Sequence, residues 1–551
     1  MKRKLLSGIA ALLAALALAG CGGSGGADSS DASKSGGADS SAVDAAAPAS
    51  DADTSKTDTG GSSSGGSKDS VRVASSAEPD CFYPYHTQKG TNMDEAPILH
   101  NVFEALVKFG PDNEILPLLA TEWEISEDFC TYTMKLREDV DFTSGNHMTA
   151  EDVKFSLDSA MTISGGVSML ANFDNVEIID DYTIEIHLTA PYAAFLNTMA
   201  SRYALVVDKK LFEEIGEEEY DAMPVGTGPY KFVERVSGDH ITLESNEAYW
   251  DGEPSIKKVD FMIMTDSNTQ LISIENGDID VLINGNPSLL TKMTTDKVEY
   301  AMKDASSIDL FRFNCAEGPG KDLNFRKAVQ MGMNREDINI GVYEGMATIG
   351  DMPAAPGFSG MPDEGTFEPI VYDAEKAKEH LAQSSYNGEE FSIICVSGTK
   401  DETAAQIIQG QLIEIGINCT VNAVDSSSFA AVTDTSGEYG ARLRFGGVSA
   451  LDIDGGFYFQ YYSDSVTNDG TRYASMAYSD ELDAKIMEGR QEPDPDKRKE
   501  IYAEAVDILN ENVFGITLYC DINACAYSAD LEGVVPRSLN GLYYYNDWSW
   551  K

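Results

Sequence analysis

The sequence predicts a protein of mixed α and β structure, and three stretches carry that prediction. Apolar residues alternate with polar ones over residues 130–136 and again over 182–188, which is the period of a strand with one buried face. Between them, Thr149 and Asp152 have the spacing of a helix capping pair, and apolar residues follow at helical spacing. The third stretch, residues 404–423, changes from helical spacing to alternation midway and is typical of an α/β unit.

The N-terminus has the pattern of a secretory signal, because cationic residues 2–4 precede an apolar run over residues 5–18. That run is shorter than the roughly 18 to 20 residues that a membrane-spanning helix needs, which favours a signal peptide over residues 1–20. The run ends in Leu-Ala-Gly-Cys, which resembles the lipobox of bacterial lipoproteins. The resemblance implies that Cys21 becomes acylated, as by palmitate. The alternative is an ordinary cleavage site beside an incidental cysteine.

Residues 21–70 are predicted to form a disordered tether that starts at this lipidated cysteine. Apart from Val43 and Pro48, residues 22–70 contain only Gly, Ser, Ala, Asp, Thr and Lys, so they offer almost no apolar surface to offset the entropy cost of ordering. Gly- and Ser-rich segments of this kind behave as flexible linkers. The remainder of the chain is long enough for two or three domains with a substantial core.

The chain is strongly acidic, with a formal net charge of −51 at pH 7. Nearly all of this charge lies beyond residue 70. Such a surface repels phosphate backbones and anionic lipid headgroups, so nucleic acid is not an expected partner. The acidity mildly favours a cationic ligand, and the alternative explanation is solubility outside the cell.

Seven cysteines follow Cys21, and an odd number leaves at least one free or bonded to another molecule. Their spacing contains no CxxC pair that would indicate a zinc or redox site. Cys520 and Cys525 are five positions apart in a stretch of strand character, which would place them on opposite faces and roughly 16 Å apart. We therefore expect no disulfide between these two.

The sequence lacks the usual motifs of hydrolases and nucleotide-binding proteins: HExxH, GxSxG, GxxxxGK[ST] and GxGxxG are all missing. His187 falls on the polar face of its predicted strand, where a solvated side chain is favoured over a metal ligand. Residues 224–230 look like a phosphate-binding loop but lack its lysine and spacing, so we predict a turn that leads into a strand. We predict no catalytic residue, no metal site, no cofactor and no enzymatic activity.

Several stretches nevertheless occur together in the order found in one family. They are NVFEALV, LLATEWEISEDFCTYTMKLREDVDFTSGNHMTAEDVKFSLDSA, PVGTGPYKF, EAYWDG, FRKAVQMGMNREDI and YDAEKAKEHLAQSSYNG. In this respect the chain resembles the extracellular solute-binding proteins of family 5, the peptide, dipeptide and nickel receptors of bacterial ABC importers. The resemblance covers nearly the whole chain from about Val71 to Lys551.

The resemblance implies the two-lobe, type II fold of periplasmic binding proteins, an α/β architecture in which two chain crossings form a hinge. The first lobe would comprise residues 71–305, with an inserted subdomain, and the C-terminal return of residues 516–551. The second lobe would comprise residues 306–515. The crossings would fall near residues 305–307 and 515–519, and the lobes would close on a ligand held in the cleft between them.

The resemblance also nominates binding residues. In the first lobe, Thr87, Gln88 and Gly90 of one loop, together with the segment Arg202-Tyr203, fall where the family touches its ligand. In the second lobe, residues 444–454 correspond to the segment in which peptide-binding members place an aspartate for the free amine of the ligand.

The chain departs from the family in that second-lobe segment. The place of the aspartate falls close to Ser449, and the preceding tryptophan is replaced near Gly447. We therefore expect Asp452 or Asp454 to have taken over the amine contact. The alternative is that both aspartates lie in a surface turn ahead of Gly455 and Gly456.

The function that the resemblance implies is capture of a small solute, best matched by a peptide or peptide-like compound, and its delivery to an ABC permease and ATPase. The receptor would be a monomer, held by its lipid anchor on the extracellular face of the bacterial cytoplasmic membrane. The alternatives are a receptor for a metal chelate or another solute, a sensor without transport, and, more remotely, an anchored hydrolase.

Overall fold

The computed structural model describes residues 68–89, 95–170, 172–433, 438–447, 450–463 and 479–551. Cys21, the predicted signal peptide, nearly all of the predicted tether, Gly90 and Ser449 lie outside the described residues. The folded body starts slightly before the predicted boundary at residue 70. Its first strand begins at Ser70, and the Lys68 ammonium pairs with the Asp280 carboxylate at 2.8 Å.

The strands that the structure describes are β1 Ser70–Ser75, β2 Val107–Phe109, β3 Ile115–Pro117, β4 Ala120–Ile125, β5 Thr131–Leu136, β6 Phe173–Asp180, β7 Thr183–Leu188, β8 Tyr230–Val236, β9 His240–Ser245, β10 Lys258–Ile263, β11 Val281–Leu282, β12 Val298–Phe313, β13 Phe391–Val396, β14 Cys419–Val424, β15 Ala441–Gly447, β16 Gly515–Ser528, β17 Leu531–Glu532 and β18 Ser549–Trp550.

The described helices are α1 Ala96–Val102, α2 Ala150–Ala160, α3 Ser164–Met169, α4 Phe195–Met199, α5 Lys209–Ile215, α6 Glu217–Ala222, α7 Ser267–Asn276, α8 Pro287–Leu290, α9 Leu323–Gly332, α10 Arg335–Tyr343, α11 Ala374–Gln383, α12 Lys400–Ile415, α13 Ser426–Ala431, α14 Ile453–Tyr461, α15 Ser479–Gln491 and α16 Pro495–Asn512. None of them is both long enough and apolar enough to cross a bilayer.

Several helices begin and end where local chemistry predicts. The backbone N–H of Thr149 donates to the Asp152 carboxylate at 2.9 Å, which completes the capping box of α2. Helix α12 stops at Gly416, whose φ of +102° suits a residue without a Cβ. Residues 224–229 precede β8 without regular structure, so the predicted turn into a strand is confirmed.

A ten-stranded sheet passes through the described body in the order β14-β13-β15-β12-β16-β11-β1-β10-β9-β8. Two long antiparallel strands, β12 and β16, occupy its middle. The strands β13, β14 and β15 lie on one side of this pair, and the remaining five lie on the other. A separate four-stranded antiparallel sheet has the order β4-β5-β7-β6.

The two long strands carry the chain from one side of the sheet to the other. Their pairing is continuous from Val298 opposite Ser528 to Asp304 opposite Ile522, and it resumes with Ile308 opposite Cys520. Residues 305–307 therefore form an irregularity in the middle of the pair. A strand bends at such an interruption because the ladder of hydrogen bonds is locally broken.

All seven cysteines of the described part are free thiols. Cys520 and Cys525 both lie on β16, as the strand character of that stretch predicted. Six of the seven are buried, and Cys130 is partly exposed. Burial raises the pKa of the Cys395 thiol to about 11, with smaller contributions from nearby acidic residues, and similar shifts hold for the other buried thiols.

Candidate functional site

The first-lobe loop holds two of the candidate residues at the surface. Thr87 and Gln88 are both exposed. The backbone N–H and the hydroxyl of Thr87 donate to the Glu217 carboxylate at 2.9 and 3.0 Å, which ties the loop to α6. The backbone N–H of Gln88 donates to Nδ1 of His86 at 3.1 Å. The loop is therefore anchored by its neighbours, and Gln88 is exposed to solvent.

Arg202 and Tyr203 begin a short 3₁₀ turn that Ser201 caps. The Arg202 guanidinium donates to the Tyr203 hydroxyl at 3.1 Å and lies 3.9 Å from a carboxylate oxygen of Glu95. All three side chains are buried. Burial, assisted by the charge of Arg202, lowers the pKa of the nearby His100 imidazole to about 4, so His100 is neutral at physiological pH.

Tyr203 also connects distant parts of the chain. It forms a small apolar cluster with Met169 and Ala450, against which Ile163 and Phe459 pack. Ala450 and Phe459 follow β15, whereas Tyr203 precedes β8, so the cluster joins elements from opposite sides of the central strand pair. The structure thus brings the candidate residue Tyr203 against the candidate segment that follows β15.

Asp452 caps the N-terminus of α14, where its carboxylate accepts the backbone N–H of Asp454 at 2.8 Å. The same carboxylate forms a two-point ion pair with Arg498 of α16, at 2.6 and 2.8 Å. Its side chain has 0% exposure, and that of Arg498 has 3%. The alternative expectation of a surface turn is therefore wrong, because the segment is packed beneath α16.

Asp454 is buried in the same way beside a second arginine. Its carboxylate accepts a hydrogen bond from Arg490 of α15 at 2.9 Å and one from the Tyr502 hydroxyl at 3.3 Å. Burial raises the pKa of Asp454, although Arg490 opposes that shift. We call Asp452, Asp454, Arg490 and Arg498 the arginine cluster. Both aspartates have internal partners, and a contact of either with a ligand amine stays a prediction.

Arg490 reaches beyond this cluster. Its guanidinium lies 3.7 Å from the ring centre of Tyr458 on α14 and 4.6 Å from that of Tyr192, which precedes α4. Its backbone carbonyl accepts the N–H of Ala193 at 2.9 Å. Like the Tyr203 cluster, this contact connects the two sides of the central strand pair.

The last candidate in the described residues is Gly447, which ends β15 and pairs in register with Ser307 of β12. It therefore lies next to the irregular residues 305–307 of the crossing strand. Its neighbour Gly446 approaches the amide of Gln460 so closely that a Cβ would lie 2.8 Å from the amide nitrogen. Glycine at position 446 lets α14 pack directly on β15.

A second group of charges, which is only partly buried, lies beside the crossing strands. The Lys400 ammonium, at the start of α12, donates to Asp309 of β12 at 2.9 Å and to Asp521 of β16 at 2.6 Å. Tyr343 accepts a hydrogen bond from Lys400 at 2.9 Å and donates one to Asp521. We call Lys400, Asp309, Asp401 and Asp521 the lysine cluster.

Burial raises the pKa of Asp309 in this cluster to about 7, and Lys400 only partly opposes the shift. Burial also raises the pKa of the neighbouring Asp401. For Asp521, Lys400 and Tyr343 outweigh burial, and the pKa is lowered. One lysine therefore keeps the partly exposed Asp521 ionised but does not fully compensate the two buried carboxyl groups of Asp309 and Asp401 as well.

Among the described residues, Glu177, Glu185 and His187 could offer three ligand atoms to a metal ion, since these atoms lie within 4.8 Å of one another. The three residues lie on β6 and β7 of the four-stranded sheet, and none of them is buried. They are separate from the candidate binding residues. Exposed groups of this kind are frequent on so acidic a chain and do not by themselves indicate an ion.

The arginines of the arginine cluster were not among the sequence candidates. A signal for them exists, because Leu482, Ile486 and Arg490 share one face of α15 at four-residue spacing, and Arg498 and Tyr502 share one face of α16. A cation at a core-facing position of an amphipathic helix indicates a buried anionic partner. The identity of that partner depends on how the helices pack.

Comparison with known proteins gives this geometry its context. The sequence profile of "Bacterial extracellular solute-binding proteins, family 5 Middle" matches residues 114–468. The glutathione-binding protein GsiB of Pectobacterium atrosepticum is 26% identical over 460 residues, which cover 80% of this chain and 88% of that protein.

Two solved structures have the same fold. The periplasmic binding protein DppA from Helicobacter pylori, in complex with the peptide STSA, aligns with a TM-score of 0.74 at 23% identity, covering 88% of this chain and 98% of that one. NikZ from Campylobacter jejuni, in complex with Ni(L-His), aligns with a TM-score of 0.73 at 23% identity, covering 88% and 99%. The expected two-lobe α/β fold is confirmed. The chain belongs to the bacterial extracellular solute-binding proteins of family 5.

Proposed function

We propose that this protein is a lipid-anchored extracellular receptor that captures a peptide or peptide-like solute between its lobes and delivers it to an ABC permease. The observation that carries the proposal is membership of family 5, together with relatives named for binding glutathione and peptides. The proposed first lobe comprises residues 71–305 and 516–551, and the second comprises residues 306–515. The receptor acts as a monomer beside the permease and its ATPase.

The contacts of the candidate residues support a ligand site at the meeting point of the lobes. Arg202 and Tyr203 come from the proposed first lobe, whereas Ala450, just before α14, and Phe459, within α14, come from the proposed second lobe. A ligand that contacts both lobes favours the closed arrangement. A ligand with equal affinity for the open and closed states does not shift the equilibrium between them. The site therefore needs contributions from both sides of β12 and β16.

The identity of the solute is tested by native mass spectrometry of the purified protein, followed by calorimetric titration with glutathione and a panel of dipeptides. We expect saturation by at least one of them, a smaller radius of gyration in solution scattering, and a higher melting temperature. At a hundredfold excess over Kd, the stabilisation is about 2.7 kcal/mol. Failure of every peptide to bind contradicts the proposed ligand class.

A metal chelate is the second candidate, because the similar structure of NikZ holds Ni(L-His). The same titration with nickel and histidine together, and with each alone, distinguishes the two. Saturation by the mixture only, with no response to peptides, identifies a chelate receptor.

The proposed amine contact of Asp452 or Asp454 needs a test that separates binding from folding, since both carboxylates also hold arginines. We expect Asp452→Asn or Asp454→Asn to weaken a free-amine ligand by roughly ten- to a hundredfold. The N-acetylated analogue of the ligand should bind the variant and the wild type equally. An equal loss for both ligands shows that the aspartate acts only through its arginine.

The proposed lipid anchor is tested separately. Metabolic labelling with a palmitate analogue should mark the wild-type protein and leave Cys21→Ser unlabelled. Labelling that persists in the variant contradicts acylation at Cys21.

A further inference from the structure

The contact between Arg490 and the segment Tyr192-Ala193 is buried. Arg490 is 1% exposed, and Tyr192 is 3% exposed. The Nη1 nitrogen of the guanidinium is satisfied by Asp454 at 2.9 Å. The Nη2 nitrogen is buried without a hydrogen-bond partner among the described residues. Two tyrosine rings cover the guanidinium instead.

Ring faces are suitable partners for such a guanidinium. A cation within about 6 Å of an aromatic ring centre is attracted to the electron-rich face, and the attraction is stronger away from water. The centres of Tyr458 and Tyr192 lie 3.7 and 4.6 Å from the guanidinium carbon of Arg490. Tyr458 lies on α14, in the same lobe as Arg490. The ring of Tyr192 is contributed by the other lobe.

The main chain adds a second link at the same place. The N–H of Ala193 donates to the carbonyl of Arg490 at 2.9 Å, so ring contact and hydrogen bond form or separate together. Arg490 itself is fixed in position. It pairs with Asp454, and a Cβ on the adjacent Gly489 would lie 2.9 Å from the Tyr502 ring, so α15 packs closely on α16 there.

We propose that Arg490 is a positioning residue that holds the lobes together through Tyr192 and Ala193 without any contact to the ligand. This proposal rests on the proposed two-lobe closure. The contact lowers the free energy of the closed arrangement before ligand arrives, so part of the closing free energy comes from the protein itself. Ligand affinity then depends on residues that never touch the ligand, because the competent state is populated in advance.

Hydrogen–deuterium exchange of the Ala193 amide measures this contact directly. The full chain is unfolded in guanidinium to remove bound solute, refolded in detergent solution, and analysed by mass spectrometry with fragmentation. We expect the Ala193 amide of the wild-type, ligand-free protein to be partly protected, because the closed arrangement is populated beside an open one that ligand then converts. Exchange at the rate of an unstructured peptide would overturn the proposal, because the lobes would then not hold without ligand.

Two variants at one position separate the ring from simple packing. Tyr192→Phe keeps a ring over the guanidinium and loses only the hydroxyl, which interacts with Asp454, so we expect exchange at Ala193 much closer to that of the wild type than to that of Tyr192→Leu. Tyr192→Leu keeps an apolar side chain without the ring, and we expect about tenfold faster exchange at Ala193 after correction for the intrinsic rate. Equal protection in the Phe and Leu variants would overturn the role of the ring.

Tyr182→Leu is the matched control, since Tyr182 lies between β6 and β7 and contacts His147 rather than Arg490. We expect it to leave the Ala193 amide unchanged. Because no ligand is present in these measurements, their outcome is independent of the peptide titration. Protection of Ala193 together with failure of every peptide to bind keeps the Arg490 contact and rejects the proposed ligand class.

Discussion

The arginine cluster and the lysine cluster both place carboxylates inside the protein beside cations. They differ in the number of charges of each sign. In the arginine cluster, two buried aspartates face two buried arginines, each pair at less than 3 Å. In the lysine cluster, one partly exposed lysine faces Asp309 and Asp521 directly, with Asp401 beside them. The first cluster is neutral by ion pairing, whereas the second has more carboxyl groups than cations.

The difference determines how each cluster responds to change. A balanced buried pair is sensitive to the loss of either partner, because the remaining charge has no water to solvate it. An unbalanced cluster can reduce its excess negative charge by binding protons, so its free energy depends on pH. The arginine cluster is thus expected to be sensitive to mutation, and the lysine cluster to a rise in pH.

The largest expected effect is that of Arg498→Met. This change removes the two-point partner of Asp452 and leaves a buried carboxylate without its cation, so we expect the free energy of unfolding to fall by about 3 to 5 kcal/mol. Urea denaturation at pH 7 measures the loss.

The double variant Arg498→Met with Asp452→Asn is the matched control. It removes both charges but keeps a side chain that can cap α14, so we expect it to be more stable than Arg498→Met alone. A double variant as unstable as the single one would show that the arginine acts through packing rather than through its charge.

The next largest expected effect is on the pH dependence of the free energy of unfolding. Because the folded pKa of Asp309, about 7, lies above its ordinary value of 3.8, the folded state binds more protons than the unfolded state between these values. Stability from this group is complete on the acid side and is lost as pH rises through 7. The free energy of unfolding of the wild type should therefore fall between pH 5 and pH 8. We expect that fall to be smaller by about 2 kcal/mol in Asp309→Asn, which has no carboxyl group at this position. Denaturation curves at both pH values test this.

Glu104 provides a comparison without a strong cation. It is buried, and its carboxylate accepts hydrogen bonds from the Tyr249 hydroxyl at 2.7 Å and the Trp250 indole at 3.0 Å. Burial raises its pKa to about 7, so its contribution to stability is also lost as pH rises. We expect Glu104→Gln to reduce the pH dependence of the melting temperature by an amount similar to Asp309→Asn. An unchanged profile would contradict a protonated Glu104.

The smallest expected effects come from removing two tyrosine hydroxyl groups, one beside each cluster. Tyr343→Phe removes a donor to Asp521 and an acceptor for Lys400, and we expect it to cost about 1 to 2 kcal/mol. Tyr502→Phe removes a longer hydrogen bond, 3.3 Å, to an aspartate that already has its arginine. We expect a cost below about 0.5 kcal/mol. Denaturation midpoints of the two variants measure the contrast, and equal costs would contradict it.

Local chemistry was readable from the sequence where neighbouring residues carry it. The capping pair Thr149 and Asp152 predicted the start of α2, and the change of spacing within residues 404–423 predicted the passage from α12 to β14. The order of motifs along the chain predicted the family and the two-lobe fold. These features are fixed by residues a few positions apart or by a pattern that extends over the whole chain.

The candidate site was less predictable, because its contacts join residues far apart in sequence. The stretch from Asp452 to Gly456 reads locally as a turn, and its burial is set by Arg498 on a helix 46 positions away. The partner of Arg490 likewise depends on how α14, α15 and the segment before α4 pack together. Sequence spacing identifies a buried cation but not the anion or ring that it meets.

The free thiols of the described part have a practical consequence for studying this molecule. None of the seven takes part in a disulfide, so unfolding and refolding in reductant breaks no covalent link and leaves none to be reshuffled. Cys130 is the partly exposed thiol, and burial with the charge of Asp128 raises its pKa, so it reacts slowly but ahead of the buried six. Among the thiols of the described part, a maleimide dye should therefore react first at Cys130, just ahead of β5.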